Sequence, residues 1–417
     1  PGIHGDVTVE VTFTADKLAD IKVTKQSETV GIGSKAVELL PGRMVAAQSP
    51  AVDGVTGATI TTEAIRKAVS DCVKQAGVDP ANLVPLAVKK TGGQKTLETD
   101  MVVVGGGGSG MSATIRGRMN GMNVILVEKM PYIGGAAAIS GGQVVAQGSK
   151  LQKAFGSTED SPESMIKDFM ANGHNLNDPA KISLYANNVG ATIDWLHEKV
   201  GVKFIPNDLP FLAEYSHRRA LEFEGGAKTM AQHLREVIAG NGAQVLYSTR
   251  VEKLLQDKDG RVIGVEATDD NGVKYTIKSK ATLLTTGGFG NNKDMLVEPI
   301  KSTLYYGPVS STGDGHRMAM ELGAKTQLMQ YGKRYPNGIE VAPGKAKSTI
   351  YANVGAFDQA GILVNIDGKL YGGVTNVGVK PTVGSDGPLA ETYILDFSGD
   401  LYGKTVEVYF FRFVRPE

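Results

Sequence analysis

Alternating apolar and polar positions at the start of the chain predict two short strands. The segments "DVTVEVTF" and "LADIKVTKQSE" carry this pattern, which is typical of half-buried strands. In "TTEAIRKAVSDCVKQAG" the apolar residues recur at helical spacing instead, from Ile65 to Val73, and Gly77 provides a stop. The pattern therefore predicts a small α+β domain over residues 1–78, followed by a linker rich in Pro, Lys and Gly over residues 79–98.

A second domain is predicted to begin at residue 99. The segment "TDMVVVGGGGSGMSATIRGRMNGMNVILVEK" has the pattern of a buried strand, a glycine turn, a helix and a second buried strand. Helical spacing dominates residues 160–245, and strand patterns with turns at "KDGR" and "DNGV" follow. From about Gly361 the pattern changes to short strands and glycine turns. The predicted fold class is α/β, with the two buried strands adjacent and parallel.

Composition narrows the functional classes. The 44 Lys and Arg residues balance the 44 Asp and Glu residues, which argues against a general nucleic-acid surface. The chain has 53 glycines, and their share of the sequence is nearly double the usual ~7 %. They are clustered, which suggests backbone that approaches phosphates. The single cysteine, Cys72, excludes an intramolecular disulfide and a cysteine-rich metal site, so no metal is expected.

The sequence gives little information on the cellular location of the protein. No apolar run approaches the ~18 residues of a membrane span, so none is expected. The first residues, "PGIHGDV", show neither a signal-peptide pattern nor a starting Met. Two locations stay open: the cell envelope or another extracytoplasmic place in a bacterium if a leader has been lost, and the cytoplasm otherwise.

The glycine turn after "MVVV" is the first chemical signal. Gly105, Gly107 and Gly110 form G-x-G-x-x-G with a strand before them and a helix after them. Such glycines allow a tight turn, backbone approach to a pyrophosphate and close helix–strand packing, and the helix N-terminus supplies N–H groups. Glu128 ends the second strand, where a carboxylate accepts hydrogen bonds from a ribose diol. The pattern predicts a dinucleotide site, against the alternative of an ordinary glycine turn.

Three further segments suit the same ligand. The segments "GGAAAISGG", residues 134–142, and "TTGGFG", residues 285–290, have small residues that let a flat ring and phosphates lie against backbone. In "STGDGHRMA", Asp314 and Gly315 stand at the start of another predicted helix. The alternatives are a flexible loop for the first segment and a simple helix N-cap for Asp314.

In their order and spacing these motifs, with "VEK", "SHR" and "GILVNIDGK", resemble the flavoprotein subunit of the fumarate reductase and succinate dehydrogenase family over about residues 99–366. The resemblance implies a Rossmann-like domain with bound FAD, and hydride transfer from flavin N5 to the alkene of a small unsaturated carboxylate. The cofactor-binding residues that it implies are Gly105, Gly107, Gly110, Glu128, Lys129, Gly134, Gly135, Gly141, Gly142, Val251, Gly287, Gly288, Asp314 and Gly315.

The catalytic candidates also come from this resemblance. Where the family's fumarate reductases have His before Pro, this chain has "QYGKRYP", with Tyr335 at that place. Tyrosine there resembles the urocanate reductase branch, and its ring can stack on or hydrogen-bond to an imidazole; the alternative is a core tyrosine. His217 and Arg218 of "SHR" are the other catalytic candidates. Arg334 is interpreted as a charged side chain in solvent.

Residues 1–78 resemble the FMN-binding domain that often accompanies these reductases. The segment "DGVTGAT", residues 53–59, matches its flavinylation motif, in which a flavin transferase links FMN to the last Thr or Ser through a phosphoester. The resemblance implies covalent FMN at Thr59, which receives electrons from a separate donor and relays them to FAD. The alternative is a loop at a helix start, with threonine as the cap.

The reductase resemblance ends after "GILVNIDGK". The family's cap domain, with its catalytic arginine, is missing, so the FAD-binding domain reads as incomplete and we expect weak or no alkene reduction. Residues 367–417 instead resemble the second half of bacterial riboflavin kinase, in "NVGVKPT", "DFSGDLYGK" and "RFVRPE". This resemblance implies a partial β-barrel-like tail, with Glu391 in the place of the base and Asn376 and Thr382 nearby.

Two alternative functions stay open. The first is a riboflavin kinase acting through the tail, although the kinase's ATP-binding "GFPTAN" segment is not found in this chain. The second is a non-catalytic electron carrier that binds flavin. Activity assays with alkenes, or with riboflavin and ATP, separate these alternatives from a reductase.

Overall fold

The computed structural model describes residues 2, 5–55, 57–212, 214–298, 300–332, 338–342, 344–348, 378–382 and 390–394. The chain divides into two units, one of residues 1–291 and 308–325, the other of residues 292–307 and 326–417. The first unit contains the FMN-binding-like and the Rossmann-like domains predicted from the sequence.

The N-terminal domain is an antiparallel strand pair packed against two helices. Strand β1 (Thr8–Phe13) pairs with β2 (Leu18–Lys25), and helices α1 (Gly33–Ala47) and α2 (Thr59–Gln75) supply most of the core. The predicted strands and α2 are therefore found. Helix α1 is not predicted by the sequence pattern, because the Pro–Gly pair inside it resembles a helix break.

Helix α1 forms because its apolar residues follow one stripe. Ala36, Leu40 and Met44 recur every four residues, and all three are fully buried. This tertiary packing outweighs the poor helix propensity of Pro41.

The Rossmann-like domain contains a six-stranded sheet. Its strands are β3 (Gln94–Val104), β4 (Val124–Val127), β7 (Gln244–Leu246), β8 (Thr249–Gln256), β9 (Val262–Asp269) and β10 (Lys274–Leu284). The spatial order is β7-β4-β3-β10-β9-β8. Strand β3 is parallel to both β4 and β10, whereas β8, β9 and β10 pair antiparallel. The prediction that "MVVV" and "NVILVE" lie adjacent and parallel is confirmed.

The described residues of the first unit also form the helices α3 (Gly108–Met119), α4 (Lys150–Ala154), α5 (Pro162–Asn172), α6 (Pro179–Trp195), α7 (Gly226–Gly240) and α8 (Asp314–Glu321). Of these, α3 packs against β3 and β4, and α8 packs against β8. A small strand pair, β5 (Gln143–Val145) with β6 (Ala220–Glu222), is antiparallel. The predicted helical character of residues 160–245 is therefore found over α5, α6 and α7.

Both faces of the central strands are buried, which explains their continuous apolar runs. Val103 and Leu126 pack into one core, whereas Val102, Val104 and Ile125 pack into the other. Successive strand residues point to opposite faces, so a strand covered on both sides needs apolar residues at every position.

The start of β3 lies earlier than the sequence pattern indicates. Gln94 already pairs with Lys274 of β10, inside the predicted linker. The first residues of β3 are polar and exposed, so they carry no apolar periodicity by which a strand could be detected.

The second unit contains two antiparallel strand pairs among its described residues. Strand β11 (Gly338–Ala342) pairs with β12 (Lys345–Ser348), and β13 (Gly378–Thr382) pairs with β14 (Ala390–Ile394). Glu391 lies opposite Pro381 in the second pair. The other candidates in this part of the chain, Tyr335, Arg334 and Asn376, lie outside the described residues.

Candidate functional site

A cavity of about 620 Å³ lies in the first unit, where the loops that follow β3, β4 and β10 converge. Carboxyl ends of parallel strands meet at one edge of a sheet, and this edge is the usual ligand site of such folds. Ten of the predicted cofactor-binding residues line the cavity: Gly105, Gly107, Glu128, Lys129, Gly135, Val251, Gly287, Gly288, Asp314 and Gly315.

The three glycines of the G-x-G-x-x-G turn have separate steric roles. Gly105 has φ +101°, and a Cβ there would lie 2.6 Å from the Thr285 carbonyl oxygen. A Cβ on Gly110 would lie 1.9 Å from the Gly105 carbonyl oxygen, so only glycine allows α3 to pack this closely. Gly107 has open space at that position and lies on the cavity wall, as a backbone that approaches phosphate requires.

Glu128 is buried at the end of β4 and faces the same cavity. One carboxylate oxygen accepts a hydrogen bond from the Gly106 N–H at 2.6 Å, and the other accepts one from the Met130 N–H at 2.8 Å. Burial raises the pKa of Glu128, although these donors and Lys129 oppose the rise. A carboxylate has about four acceptor positions, so two stay available for a ribose diol.

Asp314 collects three cations beside the cavity. Its carboxylate accepts hydrogen bonds from Lys129 Nζ at 2.9 Å, from Arg250 and from Arg317 Nη2 at 2.8 Å. Burial alone would raise the pKa of Asp314, but the hydrogen bond and charge of Lys129 and the charge of Arg250 lower it below its usual range. Lys129, Arg250 and Asp314 line the cavity, so this wall carries two positive charges against one negative charge, which suits a pyrophosphate.

Arg250 is a cavity residue that the sequence analysis did not identify. It precedes Val251 on β8, and both residues line the cavity. A charged residue on a strand is usually a solvated side chain. The residues next to Arg250 in the sequence therefore do not indicate its contact with Asp314. The simple N-cap reading of Asp314 is wrong, because Gly313 is the N-cap of α8.

Several other predicted glycines position the loops without lining the cavity. Gly134 donates its N–H to the Gly106 carbonyl at 2.7 Å, and Gly142 has φ +86° against the backbone of Ala227. Gly141 is exposed. In "GGAAAISGG" it is therefore Gly135, Ala136 and Ala137 that face the cavity, while Gly134 and Gly142 hold the ends of the segment in place.

His217 and Arg218 lie on the wall of a separate cavity of about 540 Å³. The His217 Nδ1 atom is 3.1 Å from the Ser164 hydroxyl and 2.9 Å from the Ser216 hydroxyl. Arg218 donates to the Leu209 carbonyl at 2.9 Å. Neither side chain is on the wall of the cavity that Glu128 lines, so their catalytic role stays a prediction.

The next residue, Arg219, was not singled out from the sequence, yet it is fully buried. It donates two hydrogen bonds to Asp160, at 2.7 and 2.8 Å, and one to Asp168. A buried guanidinium between two carboxylates fixes the backbone that carries His217. Residue spacing does not reveal such a network, because its members lie 51 and 59 positions apart.

Thr59 is exposed and is the first residue of α2. The N-cap is Ala58, so the reading of Thr59 as the capping residue is wrong. Gly57, two residues earlier, has φ +82°, a backbone conformation that glycine favours. An exposed hydroxyl beside a glycine turn fits attachment of a flavin phosphate.

The steric and charge features of the 620 Å³ cavity fit a dinucleotide. The glycine turn around Gly107 and the carboxylate of Glu128 are features of dinucleotide sites in such folds, and the cations held by Asp314 add positive charge that suits phosphates. Among the described residues, no cluster of three or more His, Cys, Asp or Glu side chains is arranged to hold a metal ion. The helices described here include none long and apolar enough to cross a membrane.

Sequence comparison finds two matching domain families. The FAD binding domain family matches residues 100–392, and the FMN-binding domain family matches residues 2–74. The first match extends past residue 366, where the riboflavin kinase resemblance was predicted to begin, and that resemblance stays a prediction.

Individual relatives agree with these domain families. A urocanate reductase from Eggerthella lenta is 33% identical over 344 residues, which cover 80% of this chain and 56% of that protein. A fumarate reductase (cytochrome) from Shewanella frigidimarina is 32% identical over 306 residues, which cover 70% of this chain and 52% of that protein. The chain thus spans about half the length of these relatives.

Among solved structures, the open conformation of a flavocytochrome c3 fumarate reductase matches with a TM-score of 0.57 and 29% identity. The match covers 66% of this chain and 48% of that one. The matching domain families, these relatives and the glycine-lined cavity all indicate the same family. The chain belongs to the FAD binding domain family, is similar to a urocanate reductase and a fumarate reductase, and carries an FMN-binding domain at its N-terminal end.

Proposed function

We propose that this chain relays electrons from FMN attached at Thr59 to FAD in the 620 Å³ cavity, and from there to the alkene of a small unsaturated acid of the urocanate type. The observation that carries the proposal is the convergence of ten predicted cofactor residues on one cavity in the same unit as an exposed Thr59. The names of the relatives support an unsaturated acid as substrate.

When bound, FAD supplies a hydride from N5 of its flavin ring. The chain's own groups hold and orient the dinucleotide. Glu128 accepts hydrogen bonds from the ribose, and the first N–H groups of α3 bind the pyrophosphate. Lys129 and Arg250 add positive charge beside it, and Asp314 keeps both side chains in place.

Alkene reduction also needs a proton at the second carbon. A proton donor must lie within hydrogen-bond reach of the substrate or one water away. We propose Tyr335 as the group that recognises the substrate ring, with His217 and Arg218 as candidates for proton supply. The relatives' names include both urocanate and fumarate reductases, so a substrate panel has to separate an imidazole from a second carboxylate.

The attachment of FMN is tested by coexpression with a flavin transferase, followed by fluorescence of the band in a denaturing gel. We expect a fluorescent band for the parent chain and for Thr59→Ser, which keeps the hydroxyl. Thr59→Val is close to isosteric without the hydroxyl, and its band should be dark. A fluorescent Thr59→Val band would refute attachment at Thr59.

The substrate is tested anaerobically with reduced viologen as the donor and with urocanate, fumarate and cinnamate-type acids as acceptors. Urocanate is expected to react faster than fumarate, and Tyr335→His should move the preference toward fumarate. Equal rates with both acids, unaltered by Tyr335→His, would remove the proposed substrate class. Riboflavin with ATP serves as a control and should give no FMN.

A further inference from the structure

Two glycine turns of the N-terminal domain meet the Rossmann-like domain. A Cβ added to Gly57 would lie 2.0 Å from the Tyr132 hydroxyl oxygen and 3.2 Å from the Met130 methyl group. A Cβ added to Gly31 would lie 2.7 Å from the guanidinium carbon of Arg235. Both glycines have positive φ, +82° and +79°. Each turn therefore brings its backbone against the end of a side chain of the other domain, so that an added Cβ would displace that side chain.

Arg235 joins these contacts into one surface. It donates to the Ile133 carbonyl at 3.0 Å within its own domain and to the Val30 carbonyl at 3.5 Å across the boundary. Its third partner, Gln232, holds the guanidinium from the same helix at 3.0 Å. The side chain thus bridges the segment that contains Tyr132 and the turn that contains Gly31.

Burial at this boundary agrees with close packing. Desolvation raises the pKa of Tyr132 to about 12, with a smaller contribution from Glu128. An additional ion pair, Arg43 with Asp270 at 3.7 Å, connects the two domains at other residues. Because this pair is partly exposed, it adds orientation more than stability.

We propose that residues 130–135, together with Arg235, form a docking site for the N-terminal domain, and that its occupants are the turns at Gly31 and Gly57 of the same chain. Lys129, which precedes this segment, and Gly135, its last residue, line the 620 Å³ cavity. Docking therefore holds the flavinylation loop against residues that adjoin the cavity wall. It covers Gly57 while Thr59 stays exposed. This inference goes beyond the proposed function, because it requires neither bound flavin nor turnover.

The test is hydrogen exchange by mass spectrometry on the full chain with Gly57→Ala. The matched control is Gly77→Ala, since Gly77 lies in the same domain at φ +83° but has open space at its Cβ position. Both substitutions strain the backbone equally, whereas only the first clashes across the boundary. We expect Gly57→Ala to raise exchange in peptides that cover residues 29–33 and 130–135 by about tenfold, and Gly77→Ala to leave them unchanged.

A rescue variant separates docking from general damage to the fold. Tyr132→Phe removes the hydroxyl that Gly57→Ala would strike, so the double variant should regain most of the parent's protection. If Gly57→Ala fails to fold, Gly31→Ala replaces it with the same control. Equal exchange in residues 130–135 for the Gly57→Ala and Gly77→Ala chains, or for the Gly31→Ala and Gly77→Ala chains, would overturn the docking site.

Discussion

At the scale of single residues, the site depends on buried carboxylates whose partners are already in place. Glu128 and Asp314 both face the 620 Å³ cavity, yet their surroundings move their pKa values in opposite directions. Burial dominates at Glu128, whereas neighbouring cations dominate at Asp314. The carboxylate of Glu128 thus accepts hydrogen bonds from backbone N–H groups, whereas that of Asp314 binds the side chains of cationic residues.

Glu128→Ala is expected to weaken FAD binding by about 1–3 kcal/mol, because a charge-assisted hydrogen bond to the ribose is lost. The variant also leaves the N–H groups of Gly106 and Met130 without their acceptor, so the unliganded protein should lose stability as well. Flavin fluorescence titration measures the first effect and urea unfolding the second. Unchanged FAD retention would mean that the ribose lies elsewhere.

Asp314→Asn should reduce the acid sensitivity of the fold. The pKa of Asp314 is lowered on folding, so its stabilising effect is present above the ordinary Asp value of ~3.9 and is lost as pH falls through the lowered pKa. We expect the variant to be less stable by about 1–2 kcal/mol at pH 7, because two of the three cations are half exposed.

The measurement is the difference in unfolding free energy between parent and Asp314→Asn from pH 2 to pH 7. The difference should be largest near neutral pH and should shrink below about pH 4. A difference that stays constant across this range would show that the charge of Asp314 is not responsible.

Arg219→Met is expected to destabilise the protein by about 3–5 kcal/mol, because it leaves two shielded carboxylates, Asp160 and Asp168, without their cation. Lys150→Met is the matched control, since both Lys150 and its partner Glu198 are exposed and a solvent-screened pair of this kind contributes little to stability. Urea unfolding compares the two. Similar losses in both variants would contradict a structural role for the buried network.

At the scale of elements, the turn between β3 and α3 assigns packing and ligand approach to different glycines. Gly110→Ala places a methyl group 1.9 Å from backbone, and backbone cannot move aside as a side chain can. Gly107→Ala meets nothing within 4 Å, and its φ of −73° suits any residue.

We therefore expect the first variant to change stability and the second to change FAD binding. Gly110→Ala should lower the unfolding free energy by about 1–3 kcal/mol by pushing α3 away from β3. Gly107→Ala should leave stability within about 0.5 kcal/mol and weaken FAD binding, since its methyl group occupies the cavity wall. Thermal unfolding and FAD titration distinguish the two roles, and a Gly107→Ala protein with normal FAD affinity would place the phosphates elsewhere.

At the scale of the whole molecule, the candidate residues for cofactor binding and those proposed for proton supply line different cavities. His217 and Arg218 line a second cavity, apart from the one that Glu128 and Gly107 line. A donor outside hydrogen-bond reach of the substrate slows proton transfer. We expect this chain to bind FAD and to be flavinylated, but to reduce urocanate slowly or not at all.

This expectation is checked by measuring viologen oxidation with urocanate after FAD and FMN content have been quantified. His217→Ala serves as the comparison. Fast turnover that is unaffected by His217→Ala would indicate a proton donor other than His217.

Sequence patterns alone determined the parallel strand pair, the glycine turn and the cavity residues close to it. These features are local: a two-sided strand must be apolar throughout, and a tight strand-to-helix turn requires glycine at Gly105 and Gly110. The exposed position of Thr59 also follows from a short loop before an amphipathic helix.

Only the tertiary structure decided which distant residues contact these motifs. Asp314 reaches Lys129 across 185 positions, Arg219 joins two carboxylates from another helix and loop, and Gly57 lies against Tyr132. Helix α1 forms despite its Pro–Gly pair, because its apolar stripe is buried. Such contacts depend on how distant segments pack and on which side chains lose water, and neither is encoded in the spacing of neighbouring residues.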